Sequence, residues 1–137
     1  MSKGEDMKNQ KRILIGKVGL DGHDNGIRIV SKWLADAGFE VVYLGLYNTP
    51  NGMIQAVIQE NVDLIGCSFL AGEHLFYCEK LLHLLRENGL GNKKLIVGGV
   101  IPPDDVKTLQ EMGVSAIFTT GTMRDAVLKK VKDLVEA

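Results

Sequence analysis

An open α/β fold built on a parallel five-stranded sheet is what this sequence predicts, and three observations predict it. Five short runs rich in Val, Ile and Leu are each continuously apolar rather than alternating, as strands covered on both faces are. Segments of helical period lie between them. Three of those segments stop alike, at Ala37-Gly38-Phe39, Asn88-Gly89-Leu90 and Met112-Gly113-Val114. A glycine followed by an apolar residue marks a left-handed helix cap with its hydrophobic contact.

The strands are expected at residues 12–16, 40–44, 63–69, 94–98 and 115–119. The first helix, 27–37, sets Ile27, Val30, Leu34 and Ala37 on one stripe. A second is marked by Ile54, Val57 and Ile58, with Thr49 and Pro50 suited to its N-cap and first position. The third, 75–88, carries Cys78, Leu81, Leu82 and Leu85, and the fourth spans 103–112. The last runs from residue 123 onward with Ala126, Val127, Val131 and Leu134 inward. Strand and helix thus alternate five times, and right-handed crossovers then place helices on both faces of the sheet. Five strands favour the flavodoxin-like, Rossmann-like order 2-1-3-4-5, in which ligands bind beyond the carboxyl ends of strands 1 and 3.

At 137 residues the chain is one domain's worth of sequence and needs no disulfide staples. We expect residues 1–11 to form a flexible N-terminal tail and 12–137 to form the domain. Sixteen Lys and Arg against seventeen Asp and Glu give a net charge of -1 with no basic stripe, which argues against nucleic acid as a partner. Cys67 and Cys78 lack CxxC spacing and lie in apolar stretches, as buried reduced thiols do. That points to the cytoplasm. The opening MSKGEDMKNQKR has no apolar segment long enough for a signal peptide or a membrane span.

The unusual residues collect at the expected ligand edge. The loop after strand 1, GKVGLDGHDNG over residues 16–26, is eleven residues long where two to six would suffice. Across the crevice lies SFLAGEH, beginning at Ser68; strand 4 runs into Gly98-Gly99 and strand 5 into Thr120-Gly121-Thr122. Small residues along a whole edge permit close approach to the backbone. The spacing of Gly16, Gly19 and Gly26 matches neither GxGxxG nor a P-loop. A receiver domain would end strand 3 in aspartate and strand 5 in lysine, and here Cys67-Ser68 and Thr119-Thr120 stand there. A flavin would call for aromatic residues that the first loop lacks.

An isolated loop histidine such as His23 is more often solvated or capping than a ligand. Asp21 alters that weighing, because a carboxylate on one imidazole nitrogen fixes the tautomer and leaves the other free for a metal. A zinc site needs three or four ligands, so His74 and Asp24 would have to complete it. A metal already held in a macrocycle needs only one. Lys17 has a plainer reading as a solvated lysine, and Ser68 as the cap of the following turn.

Asp21-Gly22-His23-Asp24-Asn25-Gly26 matches DxHxxG, Ser68-Phe69-Leu70 matches SxL, and Gly98-Gly99 supplies a GG element, all in order on the expected strand ends. Together, over residue 12 to the C-terminus, they resemble the cobalamin-binding domain of adenosylcobalamin-dependent mutases. KVGLDGHDNG and GGVIPPDD look most like the acyl-CoA branch, methylmalonyl-CoA mutase and its isobutyryl-CoA and 2-hydroxyisobutyryl-CoA relatives. The resemblance implies that His23 is the lower axial ligand of cobalt in place of the cofactor's dimethylbenzimidazole. Asp21 would orient it, and Lys17 would be a further polar neighbour. The displaced nucleotide tail would enter a slot lined by Ser68, Leu70, Gly98, Gly99, Gly121 and Thr122, with Gly22, Asp24, Gly26, Phe69 and Val100 also on the cofactor.

By the same resemblance the chain is the small subunit of a two-subunit acyl-CoA mutase, inactive alone. Its partner would be a large TIM-barrel subunit that binds the acyl-CoA. Homolysis of the cobalt–carbon bond of adenosylcobalamin would start a radical 1,2 carbon-skeleton rearrangement. The sequence departs from the branch at Asn25, where arginine is common, at Thr119-Thr120-Gly121-Thr122 in place of Gly-Pro-Gly-Thr, and at Glu73-His74-Leu75-Phe76 in place of Gly-His-Lys-Thr. Methylmalonyl-CoA is therefore not the implied substrate. Two alternatives share the motifs: a corrinoid carrier of a methyltransferase system, commonly preceded by a helical domain, and the small subunit of glutamate mutase.

Overall fold

The structure, a computed structural model, describes residues 10–136. Residues 1–9 of the expected tail lie outside that range. Strand and helix alternate as β1 (Arg12–Val18), α1 (Asn25–Asp36), β2 (Glu40–Asn48), α2 (Pro50–Glu60), β3 (Leu64–Phe69), α3 (His74–Glu87), β4 (Lys94–Gly99), α4 (Pro103–Met112), β5 (Ala116–Thr119) and α5 (Arg124–Glu136). All strand pairs are parallel and the order is β2-β1-β3-β4-β5, as expected.

Alternate residues of the strands feed two cores. Leu14, Ile65, Leu95 and Val97 pack beneath α2, α3 and α4 with Met53, Val57, Leu81, Leu85 and Leu109. Ile13, Ile15, Leu64 and Ile96 pack on the other face with Ile27 and Leu34 of α1 and Val127 and Val131 of α5. Each such side chain, fully buried, contributes about 1.5–3 kcal/mol. Cys67 and Cys78 are free thiols in the first core. Burial favours the uncharged form and pushes the Cys78 thiol up to about 12. Burial, then the neighbouring Cys78, drives Cys67 further up against the opposing charge of Lys17.

The three glycine stops behave as expected. Gly38, Gly89 and Gly113 have φ of 98°, 71° and 115°. In each case the glycine N–H and the next N–H reach back to the last turn, as in Gly38 N to Ala35 O and Phe39 N to Leu34 O. Thr49 Oγ1 accepts from Gly52 N at 3.0 Å and caps α2, with Pro50 at its first position. The far end of α2 stops at Asn61 in the left-handed region, which no glycine announced.

Two expectations are corrected. β1 continues past Gly16 through Lys17 and Val18, both buried, so the following loop is only Gly19–Asp24. A lysine inside the strand is possible because its charge is matched, as described below. β2 is only partly covered: as an edge strand it packs Val42 and Leu44 on one core and Val41 and Leu46 on the other, extends to Asn48 and exposes Tyr43 and Tyr47. Ile58, one of the residues that mark α2, is exposed. Among the described residues no helix is long and apolar enough to cross a membrane.

Candidate functional site

Asp21 organises the carboxyl edge. Its side chain is 5% exposed and accepts from Lys17 Nζ at 2.8 Å, from the backbone N–H of His23 at 3.0 Å and from the backbone N–H of Leu70 at 3.1 Å. His23 Nδ1 lies 2.5 Å from the same carboxylate. Burial alone would raise the carboxyl's pKa, but donation from Lys17, from the His23 ring and from the His23 and Leu70 amides outweighs it. The group is held ionised, well below the usual carboxylate range. Lys17, buried completely, has Asp21 as its counter-charge, so the solvated reading of that lysine is wrong.

The imidazole of His23 is 70% exposed. With Nδ1 tied to the Asp21 carboxylate, Nε2 is directed away from Asp21. No protein group among the described residues hydrogen-bonds Nε2. A single, oriented ring nitrogen is what this edge presents.

The other groups weighed as metal ligands are engaged elsewhere. Asp24 pairs with Arg28 at 2.9 Å. His74, expected on the neighbouring loop, is instead the first residue of α3, buried, with Nε2 2.7 Å from Asp105. Among the described residues no three His, Cys, Asp or Glu side chains gather as an ion site.

The Lys17–Asp21 pair yields a stability prediction. Removing one partner of a buried pair leaves an uncompensated charge, which costs about 3–5 kcal/mol. Asp21→Ala should therefore lower the unfolding free energy of the chain by about 3 kcal/mol or more in urea denaturation. A loss under about 1 kcal/mol would show that Lys17 is solvated after all.

Beside His23 a groove of about 400 Å³ opens between the sheet and helices α1 and α5. Its origin lies in the strands. On this face β3 presents Leu64, Gly66 and Ser68 and β4 presents Ile96 and Gly98, so bulk is present low in the sheet and missing near its carboxyl edge. Ile29, Val30 and Trp33 of α1, Phe118 of β5 and Val127 of α5 complete its apolar lining. A Cβ at Gly66 would stand 2.6 Å from Ile15 Cδ1, so a side chain there would have to displace the end of Ile15.

The groove brings together Gly26, Ser68, Leu70, Gly98, Gly99, Gly121 and Thr122, all expected to face one ligand. Gly99, at φ 121°, could carry no side chain, because a Cβ would lie 2.0 Å from the Phe69 carbonyl oxygen. Phe69 is not on the groove. Its ring faces the opposite core and stacks on Tyr77 with centroids 6.4 Å apart, because strand alternation turns it away from Ser68. Val100 is exposed beside the edge, its N–H bonded to Phe69 O, and does not line the groove. Gly22 lies in the histidine loop beneath Tyr47. Trp33, Gly66, Phe118 and Tyr47 were not expected here. A glycine in the middle of an apolar strand was the available signal for Gly66.

Known proteins match this arrangement. The family model described as "B12 binding domain" covers residues 11–128. The small subunit of 2-hydroxyisobutanoyl-CoA mutase from Aquincola tertiaricarbonis is 40% identical over 126 residues, spanning 92% of this chain and 93% of that protein. The small subunit of pivalyl-CoA mutase from Xanthobacter autotrophicus is 42% identical over 123 residues, spanning 90% and 82%. Among solved structures, a cobalamin-binding protein from Desulfitobacterium hafniense superimposes with a TM-score of 0.80 at 25% identity, over 92% of this chain and 60% of that one. With the family model spanning both the histidine loop and the groove, this chain belongs to the B12-binding domain family.

Proposed function

We propose that this chain is the cobalamin-binding small subunit of a two-subunit acyl-CoA mutase, with residues 12–137 as its cobalamin-binding domain. The observation that carries the reading is the imidazole of His23, tied to Asp21 through Nδ1, in a loop that the Leu70 N–H and Gly26 join to an apolar groove. A metal held by a macrocycle needs one such nitrogen, and a macrocycle with a long substituent needs such a groove. The residues fit cobalamin.

In this reading His23 Nε2 ligates cobalt, Asp21 fixes the tautomer and orientation of the ring, and Lys17 keeps Asp21 charged. The nucleotide tail lies in the groove over Ser68 and Gly98, with Gly26, Leu70, Gly99, Gly121 and Thr122 around it. Gly22 and Asp24 shape the histidine loop; Phe69 supports the floor from behind and Val100 stands at the rim. When bound, adenosylcobalamin supplies radical chemistry through homolysis of its cobalt–carbon bond, the entry to a 1,2 carbon-skeleton rearrangement. This chain's share is ligation and position.

The acyl-CoA would be held by a large TIM-barrel subunit over the exposed side of the cofactor. Similarity to two mutase small subunits supports that division of labour over a corrinoid carrier or a glutamate mutase subunit. A net charge of -1 and two buried reduced thiols fit a cytoplasmic protein that works with another protein rather than with nucleic acid or a membrane.

The test is reconstitution. The purified chain with adenosylcobalamin should bind the cofactor yet turn over no acyl-CoA, and the large subunit that co-purifies with the tagged chain should restore turnover. Mutase activity from the chain alone would contradict the assignment.

A further inference from the structure

The end of β2 is irregular in a way that neither the sheet nor the groove requires. Ile15 pairs with Tyr43, Gly16 with Gly45 and Val18 with Asn48, so β2 bulges outward as β1 runs straight. The bulge holds Gly45 and Tyr47 in the left-handed region, at φ of 69° and 61°. For an aromatic residue that conformation is strained, and it persists only where its surroundings impose it. Asn48 imposes it: its Nδ2 donates to Lys17 O at 3.0 Å and to Gly45 O at 3.1 Å, and its carbonyl accepts from Gly19 N at 3.0 Å. The residue that follows the strained tyrosine is thereby fastened to Lys17 and Gly19, the segment that leads into the histidine loop.

What the strain accomplishes is the placement of the Tyr47 ring. Its hydroxyl lies 3.0 Å from where a Cβ on Gly22 would stand, and Gly22 sits between Asp21 and His23 in the chain. Asp21 is held by the Lys17 ammonium and by the Leu70 amide. Tyr47, itself exposed, stands against the turn at Gly22.

We propose that Tyr47 is a positioning residue for the His23 ligand, a wall that keeps the Asp21–His23 turn in the geometry in which Nε2 is presented. The inference rests on the reading of His23 as the cobalt ligand. It makes an unusual demand: the residue that strains the backbone is worth keeping only for the loop it supports.

Tyr47→Gly separates the two effects, since glycine adopts the same φ without strain. The variant without cofactor should be at least as resistant to urea as the parent chain. Its cobalamin affinity should nonetheless fall by about tenfold, as loss of an outer support of a metal ligand does. Part of its cob(II)alamin electron paramagnetic resonance signal should also lack coupling to a histidine nitrogen. Tyr47→Phe, which keeps the ring but removes the hydroxyl that stands nearest Gly22, should show a smaller loss of affinity and of coupling than Tyr47→Gly. Parent-like affinity and coupling in Tyr47→Gly would overturn the proposal. So would a loss in Tyr47→Phe equal to that in Tyr47→Gly, which would assign the effect to the hydroxyl. Absence of histidine coupling in the parent chain would bring down the reading of His23 as well, and is distinguishable from either result.

Discussion

His23→Ala should abolish turnover of the reconstituted complex and weaken cobalamin binding more than any change to its supports. Losing an outer partner of a metal ligand typically costs about 10–100-fold, so losing the ligand itself should exceed roughly 100-fold. The fold should not notice. The imidazole is 70% exposed, and Asp21 retains Lys17 and the Leu70 amide when the ring is gone. Exposed substitutions of this kind stay within about 0.5 kcal/mol of the parent stability. Urea denaturation of the cofactor-free variant, beside its cofactor titration and its turnover with the large subunit, separates the two consequences. Unchanged turnover would mean that His23 serves only the loop.

Gly26→Leu should close the groove without harming the fold. Gly26 is the second residue of α1, its φ is unstrained, and a Cβ there would meet only Ser68 Oγ at 3.7 Å, an ordinary contact. Leucine is favoured over glycine in a helix by up to about 1 kcal/mol, so the cofactor-free chain should be as stable as the parent or slightly more. The longer side chain would stand at the groove mouth, where the nucleotide tail is proposed to enter. Affinity should fall by about 100-fold, close to 2.7 kcal/mol, in an absorbance titration. Parent-like affinity in a stable Gly26→Leu chain would show that the tail lies elsewhere.

How much of this was legible depends on whether a residue's partner is near it in sequence. The alternation of elements and the glycine caps at 38, 89 and 113 are local features, and the structure reproduces them. Lys17 misled because a lysine reads as the end of a strand. Its burial depends on Asp21, four residues on, folding back beneath it. His74 misled more thoroughly, since its partner Asp105 is 31 residues away and only packing of α3 against α4 joins them. The motif residues of the groove were legible because they cluster at strand ends, whereas Trp33 and Phe118 resemble ordinary core residues until the missing bulk of Gly66, Ser68 and Gly98 exposes them. Phe69 could have been read correctly from the period of a strand alone, which sets it opposite Ser68. The bulge that carries Tyr47 left only Gly45 as a trace, because a left-handed tyrosine has no sequence signature.

The central claim is that this chain holds cobalt through His23. The most direct measurement is electron paramagnetic resonance of cob(II)alamin bound to the chain, prepared once with ordinary histidine and once with histidine enriched in nitrogen-15. Coupling from a protein imidazole changes its splitting with the isotope, whereas coupling from the cofactor's own benzimidazole does not. The account predicts a splitting that responds to labelled histidine in the parent chain and vanishes in His23→Ala, with His74 and His83 still present. In the parent chain a splitting indifferent to the label, or in His23→Ala a label-responsive splitting that survives, would contradict it.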